Sequence, residues 1–160
     1  MIENIPNYKL LLKYNNFDIV YAQYIDFDYN TLNRLRELTL ENNSGMNLLL
    51  DLFEGLNINE VKADFYLSMW EGFIVGWSVA TKEITYFFSH HSHKKYDPSY
   101  GYQFNVFISP SYRGFGLASK LLETARDNLP ENEKLVVFPY DKISYKFYNK
   151  YLKDPKVIFW

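Results

Sequence analysis

No cysteine occurs anywhere in the 160 residues. That excludes a disulfide framework, a thiolate nucleophile and a cysteine-based metal centre, and it fits a cytoplasmic protein. Proline (6) and glycine (7) are sparse, and no linker, low-complexity tract or internal repeat interrupts the chain. Long apolar runs are missing too: none nears the roughly 20 residues of a membrane span. The opening Met1-Ile2-Glu3-Asn4-Ile5-Pro6 lacks a basic stretch followed by an apolar one, so no secretion signal is expected. Charge of either sign is scarce. A formal net charge of −2 argues against a broad nucleic-acid surface, which needs clustered Lys and Arg, and suits a cationic or neutral substrate. Aromatic residues are what the chain has in abundance, with 15 Tyr, 13 Phe and 3 Trp. With 48% hydrophobic residues, the length and composition predict one domain over 1–160 with a single, aromatic-rich core.

Apolar periodicity divides the chain into elements. Residues 8–14 and 17–27 read as strands joined at Asn15-Asn16. Residues 31–41 read as a helix with Leu32, Leu35 and Leu38 on one face and Asn30 as its cap. Asn43-Ser44-Gly45 breaks that helix, and helical spacing resumes over 46–56. Two strands, 63–70 and 73–81, flank Glu71-Gly72, a two-residue hairpin signal, and 84–88 continues as a short strand. The polar stretch 89–101 reads as a loop. A strand over 102–108, a helix over 116–129 stopped by Pro130, a strand over 135–138, a helix over 143–152 and a terminal strand over 157–160 complete the chain. This order predicts an α/β fold.

The most telling stretch runs from Phe104 to Leu122. An apolar strand enters a turn marked by Pro110, two glycines spaced by one residue follow (Gly114 and Gly116), and an amphipathic helix begins. Backbone N–H groups at such a turn, backed by the positive end of a helix, cradle anions. A phosphate-bearing ligand at residues 113–118 is therefore expected.

Arg113-Gly114-Phe115-Gly116-Leu117-Ala118, preceded by Ile108-Ser109-Pro110, resembles the Arg/Gln-x-x-Gly-x-Gly/Ala block of the GNAT superfamily of acetyl-CoA-dependent N-acetyltransferases. A second block, Val137-x-x-x-Asp141-x-x-Ser144-x-x-Phe147-Tyr148, resembles that superfamily's next strand and helix. The resemblance implies a mixed central sheet of about six to seven strands flanked by about four helices. It departs from the usual pattern at Asp141, where Asn is common, and at Tyr151-Leu152, where Gly-Phe is common.

What the resemblance implies for chemistry is acetyl transfer from acetyl-CoA, as cosubstrate, directly to an amine. Val106, Phe107 and Ile108 would line the pantetheine arm. The amides of Arg113, Gly114, Phe115, Gly116, Leu117 and Ala118 would hold the pyrophosphate, with the Arg113 guanidinium adding charge-assisted bonds. Ser119 offers a hydroxyl in the helix's first turn. Tyr148 would protonate the departing thiolate, a phenol near pKa ~10 being close enough to a thiol near ~8.5. Asp141 is either a cofactor contact or a helix cap. Asn105 either meets substrate or serves the strand, and Tyr102 is a second substrate-side candidate. The general base stays open among Tyr102, Asn105, the loop histidines and a water relay.

Other features carry blander readings. His90-His91-Ser92-His93 is followed at once by Lys94-Lys95, whose charge repels a cation, so no metal site is expected. The aromatic, His-rich loop reads as a solvated loop or a lid beside the acceptor entrance. Trp70 and Trp77 read as core. Lys142, Lys146, Lys150 and Lys153 read as a solvated basic face. The partner implied is an amine-bearing small molecule or protein, with no membrane. The apolar end 157–160 either finishes the core or pairs with a second copy as a homodimer. Two rival functions stand beside the enzyme: an inactive CoA-binding sensor or interaction module, and an effector or toxin acting on a macromolecule.

Overall fold

Two tight turns set the register of the antiparallel half of the sheet. In the computed structural model, which describes residues 8–41, 46–57, 60–88, 93–139 and 141–160, Asn15 and Asn16 take positive φ (48° and 67°), as do Glu71 and Gly72 (49° and 83°). That is the backbone twist a two-residue hairpin requires. The first turn joins β1 (Lys9–Tyr14) to β2 (Phe17–Gln23), and the second joins β3 (Ala63–Trp70) to β4 (Phe73–Thr81). Between the hairpins lie α1 (Tyr29–Glu41) and α2 (Met46–Glu54). After β4 come β5 (Tyr86–Phe88), β6 (His93–Lys95) and β7 (Tyr102–Ile108), then α3 (Leu117–Asp127), β8 (Leu135–Val137), α4 (Lys142–Tyr148) and β9 (Val157–Phe159).

Seven strands form one sheet in the order β1-β2-β3-β4-β7-β8-β9. The first four junctions are antiparallel, and β7-β8 and β8-β9 are parallel, with α3 and α4 as the crossovers. The fold is α/β, a mixed seven-stranded sheet with four helices, as expected. Both faces are buried. Phe53, Phe65, Trp77 and Phe107 belong to the cluster on the α1 and α2 side. Ile19, Phe104, Ile108, Leu121 and Tyr148 belong to the cluster on the α3 and α4 side. Trp77 is fully buried and Trp70 packs against Phe17 at 5.0 Å, so both are core residues, as read.

Several boundaries differ from the sequence reading, each for a local reason. The second strand stops at Gln23, because Asp26 Oδ2 accepts the Gln23 N–H (3.0 Å) and winds 24–26 into a 3-10 turn. Asp28, not Asn30, caps α1: its Oδ1 accepts the Thr31 N–H at 2.8 Å. Residues 84–88 do not extend β4. Thr81 Oγ1 accepts the Glu83 N–H (3.0 Å), the chain turns, and β5 pairs with β6 in a separate two-stranded sheet. The stretch expected to be a loop thus holds a strand and, at Pro98–Tyr100, a 3-10 turn capped by Asp97. The last helix is shorter than expected and passes into a 3-10 turn at Asn149–Tyr151. The predicted break at 43–45 lies outside the described residues, as do His90 and His91. The apolar end extends the sheet: β9 pairs with β8, and the Trp160 N–H donates to the Val137 carbonyl at 2.9 Å.

Candidate functional site

The junction of β7 with β8 is where the sheet opens. Their ladder consists of Tyr102 opposite Leu135 and Gln103 opposite Val136, and ends there. On its other side β7 stays paired with β4 as far as Ile108, and Ser109 N–H donates to the Val75 carbonyl. In an antiparallel ladder the hydrogen-bonding direction alternates along the strand. Ser109, Phe107 and Asn105 therefore turn their amides toward β4, while Phe104, Val106 and Ile108 turn theirs toward β8. Beyond the splay no strand meets the Val106 and Ile108 edge. The Ile108 carbonyl is taken by the Arg113 Nε–H at 2.9 Å, which leaves Val106 as the backbone edge facing the gap.

After β7, Pro110–Tyr112 winds one 3-10 turn that takes up the Arg113 N–H through the Pro110 carbonyl (3.3 Å). Gly114 (φ 88°) and Gly116 (φ 78°) then carry the chain through the left-handed region that L side chains disfavour. The glycines play different parts. A Cβ at Gly114 would meet nothing within 4 Å, so the space above it is open, whereas one at Gly116 would come within 2.8 Å of Tyr14 Oη. The first helical backbone bond is Lys120 N–H to the Gly116 carbonyl at 3.0 Å. Consecutive N–H groups from Gly114 to Ser119 thus have no backbone acceptor among the described residues.

A cavity of about 160 Å³ sits over this turn. It is lined by Ile108, Arg113, Gly114, Gly116, Leu117, Ala118 and Ser119 from the predicted set. Tyr112, Phe147 and Lys150 also line it and had been assigned no part in the site. Lys150 is exposed, as the reading of its stripe as a solvated face expects, and it also borders the cavity: its Nζ donates to Ser119 Oγ at 2.6 Å and lies 5.0 Å from the Phe147 ring centroid. Its signal was its place one helical turn after Phe147. Arg113 lies 5.6 Å from the Phe107 ring centroid. Among the described residues, neither Arg113 nor Lys150 has a carboxylate within ion-pair distance, and the first turn of α3 has no acidic residue. N–H donors without a backbone acceptor, a helix dipole and two cations without a carboxylate partner among the described residues give the cavity chemistry that suits an anion.

The other predicted residues are placed as follows. Val106 and Ile108 lie on the α3 side of β7 and Phe107 on the α1 side. Phe115 is half exposed, its ring 5.7 Å from Phe17. Tyr148 does not line the cavity; it is buried in the apolar cluster that holds Ile108 and Val137. Asp141 caps α4: its Oδ1 accepts the Ser144 N–H (2.7 Å) and its own N–H donates to Ser144 Oγ (3.0 Å). Asn105 Nδ2 donates to Gln103 Oε1 at 2.8 Å, and the buried Gln103 amide is in turn fixed by donating to the Ile84 carbonyl. This relay turns the Asn105 carbonyl oxygen away from Gln103. Tyr102 stands at the closed end of the junction, its N–H on the Lys134 carbonyl and its ring 5.0 Å from Lys82 Nζ. Burial first, then Glu133, pushes its phenol above the usual range, which favours a neutral donor over a base. The described residues contain no cluster of metal-ligating side chains, and no helix among them is long and apolar enough to cross a membrane.

Comparison with known proteins places this arrangement. A sequence model of the acetyltransferase (GNAT) family matches residues 33–153. No curated protein matches the chain. Among solved structures, the xEco2 acetyltransferase domain superposes with a TM-score of 0.60 over 98% of both chains at 12% identity. A predicted acetyltransferase from Clostridium acetobutylicum, solved with acetyl-CoA, gives 0.54 over 84% of this chain and 88% of its own at 15% identity. A possible acetyltransferase from Clostridium difficile 630 gives 0.50 over the same shares at 16% identity.

Proposed function

Because the chain belongs to the GNAT acetyltransferase family, we propose that it transfers an acetyl group from acetyl-CoA directly to an amine acceptor, a small molecule or a protein, from one domain over residues 1–160. The observation that carries this reading is the run of free N–H groups from Gly114 to Ser119, set between Arg113 and Lys150 and open to a cavity. A diphosphate is the ligand such a site suits: hydrogen bonds to charged groups contribute about 1.5–3 kcal/mol each. The Clostridium acetobutylicum relative holds acetyl-CoA, which agrees with the site's chemistry.

In this reading Gly114 to Ala118 and Ser119 hold the pyrophosphate, with Arg113 and Lys150 supplying charge. The pantetheine arm lies along β7 in the splay, where the outward backbone of Val106 offers one donor and one acceptor, with Phe107 and Ile108 forming the walls. The Asn105 carbonyl oxygen, aimed by Gln103, accepts from the incoming amine, and Tyr102 bounds that side as a neutral donor. The amine nitrogen attacks the thioester carbonyl and forms the C–N bond as the C–S bond breaks. The Tyr148 hydroxyl protonates the leaving thiolate, and the amine's proton passes to solvent through water. Asp141 serves this site indirectly, by capping the helix that presents Phe147 and Tyr148.

Calorimetric titration with acetyl-CoA tests the reading, with Gly114→Leu as control. A Cβ at Gly114 finds no protein atom within 4 Å, so a leucine there extends into the open space over the turn, where the ligand would sit. The leucine's backbone strain lowers stability by about 1–3 kcal/mol. Micromolar binding in the wild type, lost in a folded Gly114→Leu protein, is expected. A wild type that does not bind acetyl-CoA overturns the reading.

A further inference from the structure

The N-terminal hairpin β1–β2 lies outside the residues matched by the family model, yet it packs directly beneath the phosphate turn. Phe17, the first residue of β2 and only 2% exposed, sets its ring against Tyr112 (6.1 Å) and Phe115 (5.7 Å), which flank the turn on both sides. Tyr14, the last residue of β1, brings its hydroxyl end to Gly116: a Cβ there would come within 2.8 Å of Oη and 3.7 Å of Cζ. Lys120, in the first turn of α3, lies with its Nζ 4.9 Å from the Tyr14 ring centroid. No carboxylate among the described residues pairs with it.

A lysine in the first turn of a helix is electrostatically misplaced, because the helix end is already positive. The Tyr14 ring face offsets that cost by attracting the ammonium. It also decides where the ammonium sits. Helical side chains lean toward the N-terminus, and the Tyr14 hydroxyl reaches Gly116, so the ring draws the ammonium toward the N-terminal end of α3, beside the residues that line the cavity. We propose that Tyr14 is a positioning residue for the cofactor: it holds Lys120 as a third cation of the phosphate site, beside Arg113 and Lys150, making the hairpin part of the binding machinery. This rests on the acetyl-CoA reading above.

The test is calorimetric titration of CoA into the whole protein at low and moderate salt, for the wild type, Tyr14→Phe, Tyr14→Leu, Lys120→Met and the Tyr14→Leu/Lys120→Met double variant, with melting temperatures alongside. Tyr14→Phe keeps the ring and is expected to bind as the wild type does. Tyr14→Leu and Lys120→Met should each weaken binding about three- to tenfold and flatten its salt dependence, and the double variant should bind no worse than either single one. A merely structural role for Tyr14 would give additive losses and an unaltered salt dependence; that result overturns the proposal, as does wild-type affinity in Lys120→Met. Lys120→Met and Tyr14→Phe keep the test decisive if Tyr14→Leu does not fold. A wild type that fails to bind CoA removes the underlying reading instead.

Discussion

Tyr148 sits where a buried hydroxyl can serve a reaction without lining the phosphate cavity. Phe147, its neighbour, turns to the cavity and packs on it at 4.8 Å, so in the proposed reaction one turn of α4 would supply both a cofactor wall and an acid. Tyr148→Phe retains the ring and removes only the hydroxyl, and with it the proton donor. It is expected to lower kcat about 10²–10⁴-fold while CoA affinity by calorimetry stays within about twofold, since a methine replaces the hydroxyl away from the phosphates. Unchanged kcat would assign Tyr148 to the core alone, and CoA binding without turnover in the wild type would favour a CoA-binding module. The same scale shows what a pattern of residue types conveys. Gly114 and Gly116 were legible because only glycine takes that backbone conformation at no steric cost. Tyr14 was not, because an isolated tyrosine carries no local signal of what it will face, and Lys150 carried only its spacing from Phe147.

Two of the α-helices begin with a side chain that fixes the first turn, whereas α3 starts at the uncapped Gly116. Asp141 does so for α4, and Asp28 for α1, where the Thr31 N–H holds the Asp28 carboxyl below its usual range. A lowered folded-state pKa means that the ionised cap stabilises above the unfolded carboxylate range and loses that effect as pH falls through the folded value. Asp28→Ala should therefore cost about 1 kcal/mol near neutrality. In urea unfolding, the gap between variant and wild type should narrow below pH ~4; a gap independent of pH would assign Asp28 a purely packing role. Element type and order were legible because apolar spacing reports on a buried face wherever it lies. Boundaries such as Gln23 and Asp28 were harder, since short side chains compete to cap them: the sequence pointed to Asn30, and the backbone geometry selects Asp28 instead.

At the scale of the whole molecule, the β5–β6 sheet is tied to the far edge of the main sheet by Trp160. Its Nε1–H donates to the Lys95 carbonyl (2.9 Å), and its ring meets Tyr96 (6.0 Å) and Tyr100 (5.4 Å). Tyr96, buried, donates to the Thr81 carbonyl (3.2 Å), and its burial pushes the phenol up to about 12. The segment from Lys95 to Gly101 is thus latched to the main sheet, where the sequence reading had a solvated loop or a lid. Trp160→Ala deletes the latch without touching the phosphate turn. Amide exchange over 95–101 should accelerate at least about tenfold, with little change in α3 and CoA affinity preserved, since opening of a subregion need not reach the whole fold. Equal acceleration across the sheet would show that Trp160 is a keystone of the core instead.

The sequence by itself determined the α/β class, the order of the helices and of the strands of the main sheet, the absence of any cysteine chemistry and the glycine turn at 113–118. Each of these rests on composition, periodicity or a residue whose backbone is unique, and so needs no knowledge of neighbours. Only the tertiary structure decided that the ladder between β7 and β8 ends at Gln103, that Lys150 closes the cavity over Ser119, and that Tyr14 lies under Gly116, 102 positions further along the chain. Those are contacts between distant segments, fixed by how sheet and helices pack, and no local pattern of residues carries them.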